Sequence, residues 1–294
     1  MSANPTATAH AFASERNRLL GIAYRMLGSR ADAEDVLQDA WLRWNEAGHV
    51  DVRSTQAWLT TIVTRLSIDR LRSAKARREV YIGPWLPEPL AEVDAVTPES
   101  KAELASELSL AFLRLLERLG PDERAAFVLH DAFDCDYGDI AEVLGKSLAA
   151  CRQLVHRARE RVMAERRRFQ VDEQTRQRIL ERFLEVARVG DLPAMKALFA
   201  TDAHLISDGG GKAVAARRIL HGAERIAQLF TMILRRNARD IERRLLRING
   251  ELGFATSFRG KLHSVTTIDT DGERIYAYYT VANPDKLGAF LTAP

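Results

Sequence analysis

Two cysteines in 294 residues, Cys135 and Cys151, are too few and too poorly spaced for a disulfide framework or a zinc module. A reducing compartment fits that usage. No apolar run approaches the roughly 20 residues a membrane span needs. The stretch MSANPTATAHAFASERN lacks the basic start and apolar core of a signal peptide, so a soluble, cytoplasmic protein with no membrane partner is expected. Charge of one sign is also missing: the formal net charge is +3, which by itself announces no polyanionic partner. No cofactor motif, metal-ligand spacing, internal repeat or low-complexity tract is present. Aromatic residues make up only 7%, yet all four tryptophans, Trp41, Trp44, Trp58 and Trp85, fall in the first third of the chain.

The hydrophobic content is 46%, enough for sizeable cores, and the length suits two or three domains. The charge is unevenly spread. Residues 65–78 hold six bases and one acid; residues 152–168 hold seven arginines and two glutamates. Between them, residues 122–142 carry seven acids against one arginine. Two basic stripes separated by acidic ground form a pattern that the average conceals.

Apolar spacing predicts helices over residues 12–27, stopping at Gly28-Ser29, and over 31–46, where Ala33, Val36, Leu37, Ala40, Trp41 and Trp44 make one stripe. Ser54 or Thr55 can cap a third helix over 56–78. Residues 81–100, with four prolines, read as an extended linker. Helices over 99–119 and 122–133 follow, Pro121 opening the second. Beyond about residue 171 the character changes. Helices over 172–189 and 192–199 precede AHLISDGGGKAVAARRIL, which reads as two strands around a glycine turn. An amphipathic stretch over 222–236 comes next. Residues 241–280 then alternate as strands, with hairpin signals at Asn249-Gly250 and Asp271-Gly272.

Three motifs carry chemistry. In YGDIAEVLGKSLAACRQLVHRARERV (137–162), two apolar-faced helices meet at Gly145-Lys146-Ser147, a turn of helix-turn-helix length. The second presents Arg152, Gln153, His156, Arg157 and Arg159. Gln and Arg near its start can meet base edges and later arginines can reach phosphates, although a solvated basic face would look the same. The helix over 56–78 sets Trp58, Thr61, Arg65, Asp69, Arg70 and Arg72 around an apolar face. Basic helices with nearby aromatics suit melted duplex, while Trp41 and Trp44, lying in an apolar stripe, read as core. Asp35 and Asp39, four apart, set like charges on one helical face, a small cost that a basic partner would turn into complementarity.

Together, AYRMLGSRADAEDVLQDAWLRW, AWLTTIVTRLSIDRLRS and the helix-turn-helix resemble a bacterial extracytoplasmic-function sigma factor over residues 12–169. WLPEP (85–89), DGGGK (208–212) and NPDKL (283–287) resemble the signatures of the group with a SnoaL-like C-terminal extension. The resemblance implies a multidomain fold: two all-α sigma domains, a helix bundle and a helix-turn-helix, then an α+β cone-shaped SnoaL-like (nuclear transport factor 2-like) domain. Its expected boundaries are 8–80 for region 2, 81–98 for the linker, 99–169 for region 4 and 172–294 for the extension. It further implies docking on RNA polymerase core, through the β′ and β subunits, with Asp35, Gln38 and Asp39 at the β′ contact. Trp58, Thr61, Arg65, Asp69, Arg70 and Arg72 would serve the −10 element, with residues 49–55 capturing a flipped base. Lys146, Ser147, Arg152, Gln153, His156, Arg157 and Arg159 would serve the −35 element. No catalysis and no cofactor are implied for the sigma half.

For the extension, the resemblance ties Trp85, Asp208, Gly209, Gly210, Gly211, Lys212, Asn283, Pro284, Asp285, Lys286 and Leu287 to regulation through intramolecular contacts. Trp85 is a candidate docking anchor, or else packs locally on region 2. DGGGK reads as a tight connection whose glycines also let another segment approach. Some relatives of the extension are enzymes, and His204, Asp208, His221 and Asp240 are the acid–base candidates here. Three readings stay open: a sigma factor regulated in cis, a sigma factor whose extension is an enzyme or ligand sensor, and a DNA-binding repressor with a ligand domain.

Overall fold

The computed structural model describes residues 5–47, 54–91, 108–165, 171–237 and 240–291. It divides into two compact units, Met1–Glu79 with Leu113–Arg166 and Val80–Phe112 with Arg167–Pro294.

The first unit is helical. α1 (Pro5–Leu27), α2 (Arg30–Glu46) and α3 (Thr55–Glu79) form its N-terminal bundle. Gly28 takes φ 65° and donates its N–H to the Tyr24 carbonyl at 2.7 Å, which ends α1 at the expected place. Ser29 then accepts from the Asp32 N–H at 3.2 Å and starts α2. Five of the six residues of the predicted stripe, Ala33, Val36, Leu37, Ala40 and Trp44, are buried, as are Leu19, Ile22 and Met26 of α1 and Leu59 and Val63 of α3, while Trp41 is half-buried. Trp58 lies 5.2 Å from Trp44, ring centre to ring centre, and Trp41 meets Phe12 edge-on. Because Ser29 satisfies a helix-end donor that would otherwise go unpaired, Ser29→Ala is expected to cost about 1 kcal/mol. The urea midpoint followed by tryptophan fluorescence checks it.

The other part of this unit begins inside α4 (Leu110–Leu116). Pro121 opens α5 (Pro121–Phe127) as expected, but the helix does not run on unchanged to 133. It widens into a π-helical turn, Val128–Ala132. A widened turn rotates the helix face by about one residue, and the consecutive Phe127, Val128 and Leu129 all stay buried. α6 (Tyr137–Leu144) and α7 (Leu148–Glu165) follow.

The second unit places α8 (Glu173–Val189), α9 (Leu192–Leu198) and α10 (Ala223–Asn237) with a six-stranded sheet. Its strands are β1 (Phe199–Asp208), β2 (Leu220–His221), β3 (Ile241–Ile248), β4 (Glu251–Phe258), β5 (Lys261–Thr270) and β6 (Ile275–Val281), in the order β2-β1-β6-β5-β4-β3. β1 runs parallel to β6, and the other pairs are antiparallel. A 3-10 turn, Pro284–Lys286, and the short α11 (Gly288–Leu291) end the unit. Asn249 and Gly250 both take positive φ, as the hairpin signal required. Arg259-Gly260 does the same work between β4 and β5 without any such signal.

The expected pair of strands around a glycine turn is corrected. β2 is two residues long and meets β1 only after the eleven-residue excursion 209–219. The glycines do turn the chain, the Lys212 and Ala213 N–H groups both reaching the Gly209 carbonyl.

The sheet has two buried faces. On the helix side, Phe183, Phe199, Phe230, Phe254 and Tyr278 interlock with Leu205 and Ile268, so the wide part of the cone is filled by side chains. On the opposite side, Ile206, Ile248, Ala255, Val265, Ala277, Tyr279 and Val281 pack with Leu86, Leu110 and Leu287. The described part of the proline-rich segment, residues 81–91, is therefore no free connector. Leu86 is fully buried, and Ala91 bridges to Ile248. No helix among the described residues is long and apolar enough to cross a membrane.

Candidate functional site

The helix-turn-helix is built by local rules. Asp136 caps α6 by accepting from the Asp139 N–H at 2.8 Å. Gly145, at φ 63°, closes α6, and Ser147 caps α7 through the Ala150 N–H at 3.2 Å. Ser147 thus has a structural task beside any contact to DNA. Ile140, Val143, Cys151, Leu154, Val155, Ala158 and Val162 are buried. Arg152, Gln153 and His156 are exposed; Arg152 lies 5.6 Å over the Tyr137 ring, and His156 pairs with Glu160.

The acidic ground between the two basic stripes proves to be the partner of both. Asp122 pairs with Arg72 of α3 and with Lys146 of the turn. Glu123 pairs with Arg157 and Arg161. Asp131 takes Arg159 in a two-pronged contact with bonds of 2.9 and 2.5 Å. The late arginines of α7 thus fasten it to its own domain, while its first turns stay open. These pairs are surface-exposed on the cationic side and are worth roughly 0–1 kcal/mol each, so a phosphate can exchange for a carboxylate at little cost.

On α3, Thr61 bonds back to the Ala57 carbonyl and Asp69 pairs with Arg72. Arg70 bonds Asp32 at 3.0 Å and also pairs with Asp35. The basic partner that the acidic face wanted is supplied in part by the same domain. Asp35, Gln38 and Asp39 nevertheless remain exposed along α2. Arg65 reaches the C-terminal end of α6, Nε to the Val143 carbonyl and Nη2 to the Glu142 carbonyl, both at 2.9 Å. A cation there meets the negative end of the helix. Arg65→Ala is expected to cost about 1–2 kcal/mol and Arg65→Lys less, read from the urea midpoint of the helical unit. Of the residues expected to capture a flipped base, 49–53 lie outside the described residues.

In the second unit the three signature motifs converge on Asp208, which is fully buried. Its Oδ1 accepts from the Tyr81 hydroxyl at 2.5 Å. Its Oδ2 accepts from the Leu86 N–H and from Lys286 Nζ, each at 2.8 Å. Lys286 also donates to the Leu86 carbonyl and sits 4.2 Å from the centre of the Trp85 ring. Asn283 donates from Nδ2 to the Tyr81 hydroxyl, and its backbone N–H bonds the Asp208 carbonyl. Burial and the bond to Asp208 hold the Tyr81 hydroxyl well above its usual range. The glycines are needed for approach: a Cβ on Gly210 would strike the Asn283 amide, and one on Gly211 would stand 2.9 Å from Ile82. Lys212 and Asp285 form an ion pair at the rim, and Leu287 is buried.

Trp85 belongs to this second unit and is half-buried. The anchor of the segment is its neighbour Leu86, and Trp85 covers the Lys286 ammonium. Sequence reading also missed Tyr81, just before the motif, and Asn249. Asn249 is fully buried: it accepts from the Leu90 N–H at 2.9 Å and donates to the Leu108 carbonyl at 2.7 Å. Its signal was the Asn-Gly dipeptide, which was read only as a turn.

The four acid–base candidates do not gather. His204 and Asp208 share the face of β1 that lies away from the filled cone, His204 beside His221 and Tyr279. Asp240 pairs with Arg259 at the surface.

A helical unit ending in a helix-turn-helix, joined to a cone-shaped α+β domain, defines a two-part DNA-binding regulator. Residues 11–77 match sigma-70 region 2 and residues 109–162 match sigma-70, region 4. The chain is 38% identical over 286 residues to the ECF RNA polymerase sigma factor SigJ of Mycobacterium tuberculosis, covering 94% of this chain and 91% of that protein. It is 36% identical over 187 residues to the probable ECF RNA polymerase sigma factor SigI of the same species, covering 63% and 64%. The crystal structure of the M. tuberculosis extracytoplasmic function sigma factor SigJ matches with a TM-score of 0.76 at 34% identity, over 96% of this chain and 98% of that one. The chain belongs to the extracytoplasmic-function (ECF) RNA polymerase sigma factors. As such it works with RNA polymerase core and promoter DNA, and its second unit has the SnoaL-like fold.

Proposed function

We propose that this sigma factor acts in the cytoplasm and docks on the β′ coiled coil through Asp35, Gln38 and Asp39. α3 then serves the −10 element, and the open first turns of α7 read the −35 element. We further propose that the SnoaL-like domain regulates the two sigma domains in cis, by holding the segment that joins them. The observation that carries this is the clasp on Asp208. Tyr81, Leu86 and Lys286 pin one stretch, while Asn249 bonds both Leu90 and Leu108. Leu90 and Leu108 are thus tethered to one asparagine of the sheet. Releasing the clasp frees that tether, a two-state device that polymerase and promoter can bias by differential contacts.

Run-off transcription with purified core polymerase tests the reading. A promoter-dependent transcript is expected; no transcript and no core binding would refute it. Arg152→Ala or Gln153→Ala is expected to weaken −35 discrimination by about 1–3 kcal/mol, measured by competition between promoters differing at single −35 positions. Unchanged discrimination would place the reading surface elsewhere.

A further inference from the structure

The arginines of α7 divide by how they are held. Arg157 and Arg161 pair with Glu123, and Arg159 takes Asp131. Arg152 pairs with no carboxylate among the described residues; what it meets there is the face of Tyr137, with 5.6 Å from its guanidinium carbon to the ring centre. The difference is chemical. A carboxylate fixes an arginine by occupying its N–H donors. An aromatic face fixes it through the π electrons and leaves those donors unspent. Arg152 is also exposed, on the first turns of α7 that stay open.

Tyr137 is itself braced. Its ring centre lies 4.4 Å from that of His130, the planes tilted by 49°. His130 Nδ1 donates to the Cys135 carbonyl at 3.1 Å; a carbonyl only accepts, so that nitrogen carries the proton. Asp134, at φ 51°, lets the chain return to make this bond, and the Cys135 N–H closes on the Leu129 carbonyl at 2.9 Å. His130 belongs to the π-helical turn Val128–Ala132, a local widening of the kind that recurs at functional sites. The next residue of that turn, Asp131, clamps Arg159. One turn thus supports α7 in two ways, by a charge pair late in the helix and by an aromatic pair at its early arginine.

An exposed arginine loses side-chain freedom when it binds, and a partner that places it beforehand lowers that cost. Guanine offers O6 and N7 side by side in the major groove, the commonest match for a guanidinium with two free donors. We propose that Tyr137, braced by His130, is a positioning residue for −35 recognition: its ring holds Arg152 ready to make two parallel bonds to a guanine edge. This rests on the reading of Arg152 as a −35 contact and adds what orients it.

The test uses holoenzyme assembled from the full chain and core polymerase. It is bound to a pool of double-stranded promoter fragments randomised across the −35 and −10 elements, and the bound fragments are sequenced. Wild type should select guanine at one −35 position where Arg152→Ala does not. Tyr137→Leu is expected to lower that guanine preference about twofold to tenfold, the range set by the cost of ordering one long side chain, with the other positions unchanged. Tyr137→Phe, which keeps the ring, should keep the preference. Once Arg152 is replaced by alanine, Tyr137→Leu should change nothing further at that position. If circular dichroism shows that Tyr137→Leu fails to fold, His130→Ala is the second variant, with a smaller loss confined to the same position, and the same outcomes decide it. No loss of guanine preference in Arg152→Ala would overturn the base contact and the proposal with it. With that contact present, an unchanged preference in Tyr137→Leu, a loss spread over every −35 position, or an equal loss in Tyr137→Phe would overturn the positioning role alone.

Discussion

Asp208→Ala is expected to destabilise the C-terminal unit by about 3–5 kcal/mol, the usual cost of leaving one partner of a buried ion pair alone. Lys286 would lose the carboxylate it is paired with, and the Tyr81 hydroxyl and the Leu86 N–H would each lose an acceptor. The penalty therefore falls on groups that stay buried, which the lost attraction alone understates. Adding Lys286→Met to Asp208→Ala should recover part of the loss, because the stranded charge goes too. Urea unfolding of the two single variants and the double measures the coupling. Limited proteolysis reports the consequence for residues 80–91, which should become cleavable in Asp208→Ala at denaturant concentrations where the wild type resists. If Asp208→Ala unfolds within about 1 kcal/mol of wild type, Asp208 does not hold this segment.

The second large effect concerns polymerase. Asp35→Arg with Asp39→Arg is expected to weaken binding to core polymerase about 30-fold to 1000-fold, from roughly 2–4 kcal/mol of lost attraction and new repulsion. Both positions are exposed. The fold should survive, since Asp35 contributes only a surface pair with Arg70, worth under about 1 kcal/mol, and Arg70 keeps Asp32. Titrating labelled chain with core polymerase reads the affinity, and circular dichroism confirms that the helices persist. Intact core binding by the double variant would remove α2 as the docking face.

Much of the architecture was legible because its causes are local. The stripe Ala33, Val36, Leu37, Ala40 and Trp44 follows the helical period, and the observed burial reproduces it. Gly28 and Ser29 mark a boundary through their own backbone preferences. Asn249-Gly250 announced a hairpin because few other residues accept two successive positive φ angles. Gly145 and Ser147 did the same for the helix-turn-helix. The third hairpin, at Arg259-Gly260, was not announced, since arginine is an uncommon residue at that angle.

The candidate sites divide the same way. The exposed Asp35, Gln38 and Asp39 and the open start of α7 follow from helical phase. Which arginines would be tied down did not follow. Arg157, Arg159 and Arg161 look equivalent to Arg152 in sequence, and only packing against α5 and its π-helical turn separates them.

By itself the sequence determined most of the helices and strands, the hairpin at Asn249-Gly250, and the two basic stripes with acid between them. These rest on periodicity, turn chemistry and composition, all of which act over a few residues; the three motifs of the extension were legible only as a family resemblance. Only the tertiary structure decided that the acids partner both stripes, that Asp208 binds Tyr81 and Lys286, and that one asparagine holds both Leu90 and Leu108. Those bonds join residues up to about two hundred positions apart, and it took the folded sheet and its helices to bring them within hydrogen-bond reach.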